Sequence, residues 1–415
     1  MPAPAPGRRA VRVAFWLVYA LALALLFEGA TRVWLSAAPR LTRWRAAHAG
    51  PTTRPSPAQL EAIGRRLGLD PYEMADPDRP GRWRLRPGYR ATLAELLDAK
   101  RRDGKTLTVS RIEEEAPRLG IRPDDVAVAI DSAGYRGPEL DASRAVRVLT
   151  LGDSCTFGSP FAQELVYARA LERGLRSRGV DAEVVNGGVE GYAPADVLAR
   201  IDEFRALRPT LTTVYIGWNA LYTERWMDEH AGLGRWSAGA RLVARAVELA
   251  RARFGGRQAA IAAYARPKRP DRAAAEVRLA AEYTPSFLPD VVRIVDEMQA
   301  AGSRVVLVTL PGLYATDRDP APRALEIGHL PTFTDNPFVL ARMAERYNSQ
   351  LRDLARSRSL VLVDLDAWCR RELQPTEAHF VDSVHLDERS QERAGTFLAE
   401  ELAPLLAAAS PAPRI

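Results

Sequence analysis

The chain has 415 residues, 47% of them hydrophobic, enough for one large or two modest cores and unlike the make-up of a disordered or collagen-like chain. Its formal charge is +6, carried almost entirely by arginine, with lysine only at Lys100, Lys105 and Lys268; the arginines are scattered beside acids, as in ARALERGLRSRG, which argues against a nucleic-acid partner. Cys155 and Cys369 lie far apart, without CxxC or Cys/His spacing, so neither a disulfide framework nor a zinc site is indicated.

Residues 1–12 read as a basic tail containing Arg8, Arg9 and Arg12, and residues 13–35 as a single transmembrane anchor. The run VAFWLVYALALALLFEGAT is uncharged from Val13 to Phe27, and at 1.5 Å per residue the interval between Arg12 and Arg32 approaches the roughly 30 Å of a bilayer core. A cleavable signal peptide shares this layout, but Pro39 directly after Ser36–Ala38 favours an uncleaved anchor. Arginines flank both ends, and the expected placement of the globular part is outside the cytoplasm.

Residues 36–66 read as a juxtamembrane linker and 67–144 as a small β-rich extension. RWRLRPGYRATL, TLTVSRIEEEAP and DVAVAIDSAGYRGPEL are short apolar stretches broken by turn residues, the pattern of strands and turns. From residue 145 to 408 the pattern is regular. Strand-like VRVLTL, AEVVN, TTVYIG, SRVVLVTL and LVLVDL alternate with helical stretches, predicting a three-layer α/β/α domain on a five-stranded parallel sheet. An excursion over 221–283 is too long for a simple crossover; a lid or substrate wall and a purely structural insertion are both open. Residues 409–415 are a tail.

In such a sheet, ligands bind beyond the carboxyl ends of the strands. The first strand ends in Gly152-Asp153-Ser154, the second in NGGVEGY, the third in Gly217-Trp218-Asn219, and HFVDSVHLD follows the fifth. A serine nucleophile needs a base, an orienting carboxylate and oxyanion donors. His385 can be the base and Asp382 its carboxylate, on one loop through the spacing DxxH. Asn219 offers a side-chain donor beside the backbone N–H groups of Ser154 and Gly191. His379 ranks below His385, and Asp387 is placed to cap the final helix.

These residues carry a resemblance. The chain resembles the SGNH/GDSL hydrolase superfamily over about Val146 to Leu406: GDSCTFG is similar to its first block, with Ser154 as nucleophile; NGGVEGY to the second, with Gly191; IGWNAL to the third, with Asn219; DSVHLD to the last, with Asp382 and His385. The resemblance implies a flavodoxin-like fold and a serine esterase or O-acyl hydrolase acting on a glycan or lipid ester without cofactor or metal. The alternatives are an O-acyltransferase on an envelope polysaccharide, which shares the acyl-enzyme, and a non-catalytic scaffold. Ala220 departs from the family, whose third block commonly has Asp after Asn. GDSCT lacks the second glycine of a G-x-S-x-G elbow, and no Gly-Lys-Ser/Thr follows to make a P-loop. Asp153 and Asp364 have no ligand spacing for a metal, and Cys155 reads as a packed small side chain.

Overall fold

A computed structural model of the chain describes residues 8–48, 55–230, 236–243 and 266–407. The tail at 409–415 and part of the excursion lie outside the described residues. The chain divides into two compact units: Met1–Thr53 with Arg225–Ala265, and Arg54–Glu224 with Arg266–Ile415.

In the first unit a helix runs over Arg8–His48. Its stretch Phe15–Trp34 is long and apolar enough to cross a membrane. The helix continues past residue 35 into the region expected to be linker, and a second helix, Pro57–Leu67 in the other unit, occupies the far end of that region. Ser56 caps this second helix by a reciprocal bond pair with Gln59, the arrangement that satisfies two otherwise orphaned N–H groups.

The extension holds two antiparallel strand pairs, β1 (Glu73–Ala75) with β2 (Trp83–Leu85) and β3 (Arg90–Thr92) with β4 (Val126–Ala129). It also contains two helices, Leu93–Arg102 and Thr106–Arg118. The second helix covers TLTVSRIEEEAP, where strand and turn were expected. Val109, Ile112 and Ala116 are all buried, and their i, i+3, i+7 spacing places them on one helical face, which outweighs the β propensity of Val and Thr in so short a run.

The larger sheet has five parallel strands, β5 (Val146–Gly152), β6 (Ala182–Asn186), β7 (Leu211–Tyr215), β8 (Arg304–Val308) and β9 (Val361–Val363), in the order β6-β5-β7-β8-β9. Each strand predicted from the sequence is present within two residues at its ends. Strands β6 and β7 are buried throughout and β5 at every position but Arg147, because helices cover both faces. Helices Tyr167–Ser177 and Glu388–Ala407 pack on one another, closely enough that a Cβ on Gly174 would stand 2.6 Å from Ala399 Cβ. Helices Pro194–Ala199 and Ile201–Ala206 pack on Leu288–Ala300. The strand order reverses at β5, between β6 and β7, and with right-handed crossovers this reversal sends helices to opposite faces and opens a crevice at the carboxyl ends of β5 and β7.

Candidate active site

β5 ends at Gly152, and the chain turns at once into the short helix Ser154–Phe157. The turn is built around Asp153, fully buried, whose Oδ1 accepts from the Cys155 N–H at 2.9 Å and whose Oδ2 accepts from the Gly217 N–H at 3.5 Å. Gly152 is required by proximity: a Cβ there would lie 2.0 Å from Thr156 Oγ1 and 2.2 Å from the Tyr215 carbonyl oxygen. The strand therefore stops abruptly because the turn that carries Ser154 is pressed onto the neighbouring strand. Ser154 is left half-buried at the carboxyl end of β5.

Ser154 Oγ lies 2.7 Å from His385 Nε2, and His385 Nδ1 lies 2.7 Å from Asp382 Oδ2. The other Asp382 oxygen accepts from the Val384 and His385 N–H groups, both at 2.9 Å. The DxxH spacing thus makes one turn that satisfies its own carboxylate and aims its own imidazole. Burial opposes ionisation of Asp382, yet the adjacent His385 overrides it and holds the carboxyl well below its usual range. Burial likewise disfavours the imidazolium of His385, and the Asp382 charge and hydrogen bond raise its pKa above the ordinary histidine value. An imidazole so placed is a base strong enough to take a hydroxyl proton.

Beside the Ser154 N–H, the predicted oxyanion donors lie on two loops, Gly191 after β6 and Asn219 after β7. Among the described residues, no protein acceptor takes the Ser154 or the Gly191 N–H. Asn219 Nδ2 donates one hydrogen to the Tyr192 carbonyl at 3.1 Å, which ties the loop after β7 to the loop after β6; an amide nitrogen carries a second. Ala220, where the family commonly has Asp, is buried. The loop is fixed by other groups: Thr223 Oγ1 donates to the Asn219 carbonyl at 2.8 Å, Tyr347 OH to the Ile216 carbonyl at 2.8 Å, and Tyr283 OH to Glu224 at 2.9 Å.

The extension supplies residues that no motif in the sequence marked. Gly191 has φ +78° and faces the Trp83 ring, to which an added Cβ would come within 2.9 Å. Trp83 Nε1 donates to the Glu190 carbonyl at 2.9 Å, and Tyr192 OH donates to the Trp83 carbonyl at 2.5 Å. Tyr72, fully buried, stacks on Phe157 and donates to Glu190 at 3.0 Å. Arg136, also buried, lies over the Phe157 ring and donates to the Phe157 carbonyl at 2.9 Å. Beneath Glu190 stand Asp70 and Glu73, with Lys100 and Lys105 paired to Asp70 at 2.6 and 2.8 Å. Burial, with Glu190 close by, pushes the Glu73 carboxyl up to about 8.

His329 is a second histidine near Asp382 and His385, on an isolated position in the sequence. Its backbone N–H donates to Ser383 Oγ at 2.7 Å, its ring faces Tyr222, and burial lowers its pKa. His379 is bound elsewhere, its Nδ1 2.9 Å from Ser390 Oγ. Asp387 caps the final helix through the Ser390 N–H at 2.7 Å. Burial pushes the Cys155 thiol well up, which keeps it protonated and unreactive. Asp364 accepts from Arg352 and Thr309, so its oxygens are taken up by structure.

The family model for GDSL-like lipases and acylhydrolases matches residues 150–393. No curated protein sequence matches the chain. Among solved structures, the chain is similar to an acetylxylan esterase from Geobacillus stearothermophilus (16% identity, 63% of this chain and 96% of that one, TM-score 0.39). It is also similar to a lipase/acylhydrolase from Enterococcus faecalis (15%, 63% and 96%, 0.36) and to a lipolytic G-D-S-L family member from Veillonella parvula (13%, 62% and 98%, 0.36).

Proposed function

The chain belongs to the GDSL-like lipase/acylhydrolase family, hydrolases of ester bonds, and from that premise we propose that Ser154 is its nucleophile, acting through an acyl-enzyme on an ester of a glycan or lipid at the cell envelope. The observation that carries this reading is the unbroken relay from Ser154 Oγ to His385 to Asp382, with both contacts at 2.7 Å.

His385 Nε2 takes the Ser154 proton as Oγ bonds to the ester carbonyl carbon. The carbonyl π pair moves onto oxygen, and the resulting oxyanion is held by the Ser154 and Gly191 N–H groups and by Asn219 Nδ2. Collapse breaks the bond to the alcohol, which leaves with the proton from His385. A water then gives its proton to His385 as it adds to the acyl carbon, and a second collapse releases the acid and restores Ser154. Asp382 holds the proton of His385 on Nδ1 throughout and stabilises the imidazolium. No step calls for a cofactor or metal.

The apolar stretch Phe15–Trp34 is read as a retained anchor, with the catalytic domain outside the cytoplasm. Arg8, Arg9 and Arg12 ahead of the span are matched by Arg40, Arg43 and Arg45 after it, so the outward placement rests on the envelope substrate and not on the charge bias.

The test is release of p-nitrophenol from short-chain esters by the full chain in detergent, beside Ser154→Ala, with trapping of the acyl adduct by mass spectrometry. Activity lost with Ser154 and an adduct on its peptide are the expected results. Equal rates from both proteins, with no adduct, would overturn the mechanism. Adding a sugar acceptor separates hydrolysis from transfer, since an acylated sugar would replace the free acid.

A further inference from the structure

Glu28 is a carboxylate inside the apolar stretch Phe15–Trp34, where an ionisable group is expensive unless every lone pair is satisfied. Its oxygens receive four donors: Arg32 Nε at 2.7 Å, Ser237 Oγ at 2.8 Å, and the N–H groups of Ala238 and Gly239, both at 2.9 Å. Four donors match the acceptor capacity of one carboxylate. Three of them come from a segment more than two hundred positions along the chain, and Arg32 also donates to the Trp236 carbonyl at 3.3 Å.

Shape agrees with the hydrogen bonding. A Cβ on Gly239 would stand 2.7 Å from the Phe27 ring, so only glycine lets this turn approach the helix closely enough to reach Glu28. Thr31 and Ala238 are both buried. Position along the helix fixes the depth. Glu28 follows the uncharged run Val13–Phe27, about 22 Å from its start at 1.5 Å per residue, which leaves it roughly 8 Å from the far boundary of a hydrocarbon core of roughly 30 Å. Trp34 and Trp236 are 57% and 72% exposed, and tryptophan favours the headgroup level. The segment 225–265 carries seven arginines against three acids, the charge sign that anionic lipid attracts.

We propose that the excursion makes a second membrane contact: the Trp236–Gly239 turn docks on the anchor through Glu28, with Trp236 at the headgroup level, and its partner there is the anionic phospholipid surface. The inference rests on the anchor reading above. The excursion leaves the catalytic fold six residues after Asn219, so the chain that carries an oxyanion donor is continuous with this contact, and the catalytic domain is tied to the membrane at two places in the sequence.

The experiment reconstitutes the full chain with Trp236→Cys into phosphatidylcholine/phosphatidylglycerol vesicles and labels it with a thiol fluorophore. Cys155 and Cys369 are buried, and the unsubstituted chain serves as the labelling control. Emission is expected to fall with lipids brominated near the headgroup and to resist aqueous iodide. Adding Glu28→Gln or Gly239→Val should reverse both, while hydrolysis of a soluble ester persists as the check on folding. A label open to iodide and untouched by brominated lipid overturns the proposal without reference to any contact variant, as does quenching that both variants leave unchanged. A chain that fails to float with the vesicles overturns the anchor reading itself, and this one with it.

Discussion

Asp382→Asn is the substitution that most directly tests the relay. One Asp382 oxygen accepts from two backbone N–H groups, Val384 and His385, at 2.9 Å each. The asparagine will keep its carbonyl oxygen there, because turning its NH2 towards two donors would leave both unsatisfied. The NH2 must then occupy the place of the oxygen that lies 2.7 Å from His385 Nδ1. An amide hydrogen pointing at Nδ1 forces that nitrogen to accept, so the imidazole proton moves to Nε2, which donates to Ser154 Oγ where it should accept. The backbone turn survives and the base is lost. The expected fall in kcat is about 10³–10⁴-fold, or roughly 4–5.5 kcal/mol of transition-state stabilisation. The assay is ester hydrolysis as a function of pH. His385 acts only when neutral, and its pKa is raised chiefly by Asp382 against the opposing effect of burial. Wild-type kcat/KM should therefore rise with pH through a midpoint above the ordinary imidazole value of about 6.5, and the residual limb of Asp382→Asn should move down. A variant within about tenfold of wild type, or a limb that moves up, would refute the reasoning.

Trp83→Ala removes the ring against Gly191 and the donor to the Glu190 carbonyl; kcat should fall by up to about 10²-fold, the scale of one misplaced oxyanion donor, with labelling of Ser154 by a phosphonate retained more fully than turnover. Glu73→Gln tests the buried carboxyl cluster. With its folded pKa raised to about 8, Glu73 holds a proton in the native state that the unfolded chain has already released, so its contribution to stability falls as pH rises from the ordinary carboxylate value through about 8. Melting temperature should therefore decline less over that window in the variant than in wild type, and equal slopes would reject the assignment.

The five strands were legible because each is a short Val/Leu/Ile run followed by glycine or a polar turn, a local signal that burial on both faces enforces. Ser154, Asp382 and His385 were legible for a related reason: the strand-end position and the DxxH spacing are properties of a few consecutive residues. Trp83, Tyr72 and Arg136 were not. Each acts through contacts more than twenty positions away, to Glu190, Tyr192 or Phe157, and nothing in RWRLRPGYR or SAGYRGPEL distinguishes a residue that reaches a catalytic loop from one that fills a core. The helix Thr106–Arg118 was hidden because Thr and Val favour strand locally, while Val109, Ile112 and Ala116 declare their common face only once something packs on it. Glu28 follows the uncharged run Val13–Phe27; its partners lie far along the chain, so sequence shows the charge and not what satisfies it.

The extension and the five-stranded domain are mechanically coupled. Phe157 closes the helix that begins with Ser154, and it is gripped from the extension by Tyr72 stacked on its ring and by the buried Arg136 on its ring and carbonyl. Tyr72 also donates to Glu190, the residue before Gly191. A single side chain thus touches both the helix that begins at Ser154 and the loop that carries Gly191. Asn186 closes the circuit from within the sheet: its Nδ2 donates to the Thr156 and Phe157 carbonyls, and its Oδ1 accepts from the Gly188 N–H. Donors aimed at a developing oxyanion contribute only if they need not reorganise as charge appears. Backbone bonds between the two strand ends run only as far as Gly187 N–H to Thr150 and Val189 N–H to Gly152, and the extension, with Asn186, braces the loops beyond them.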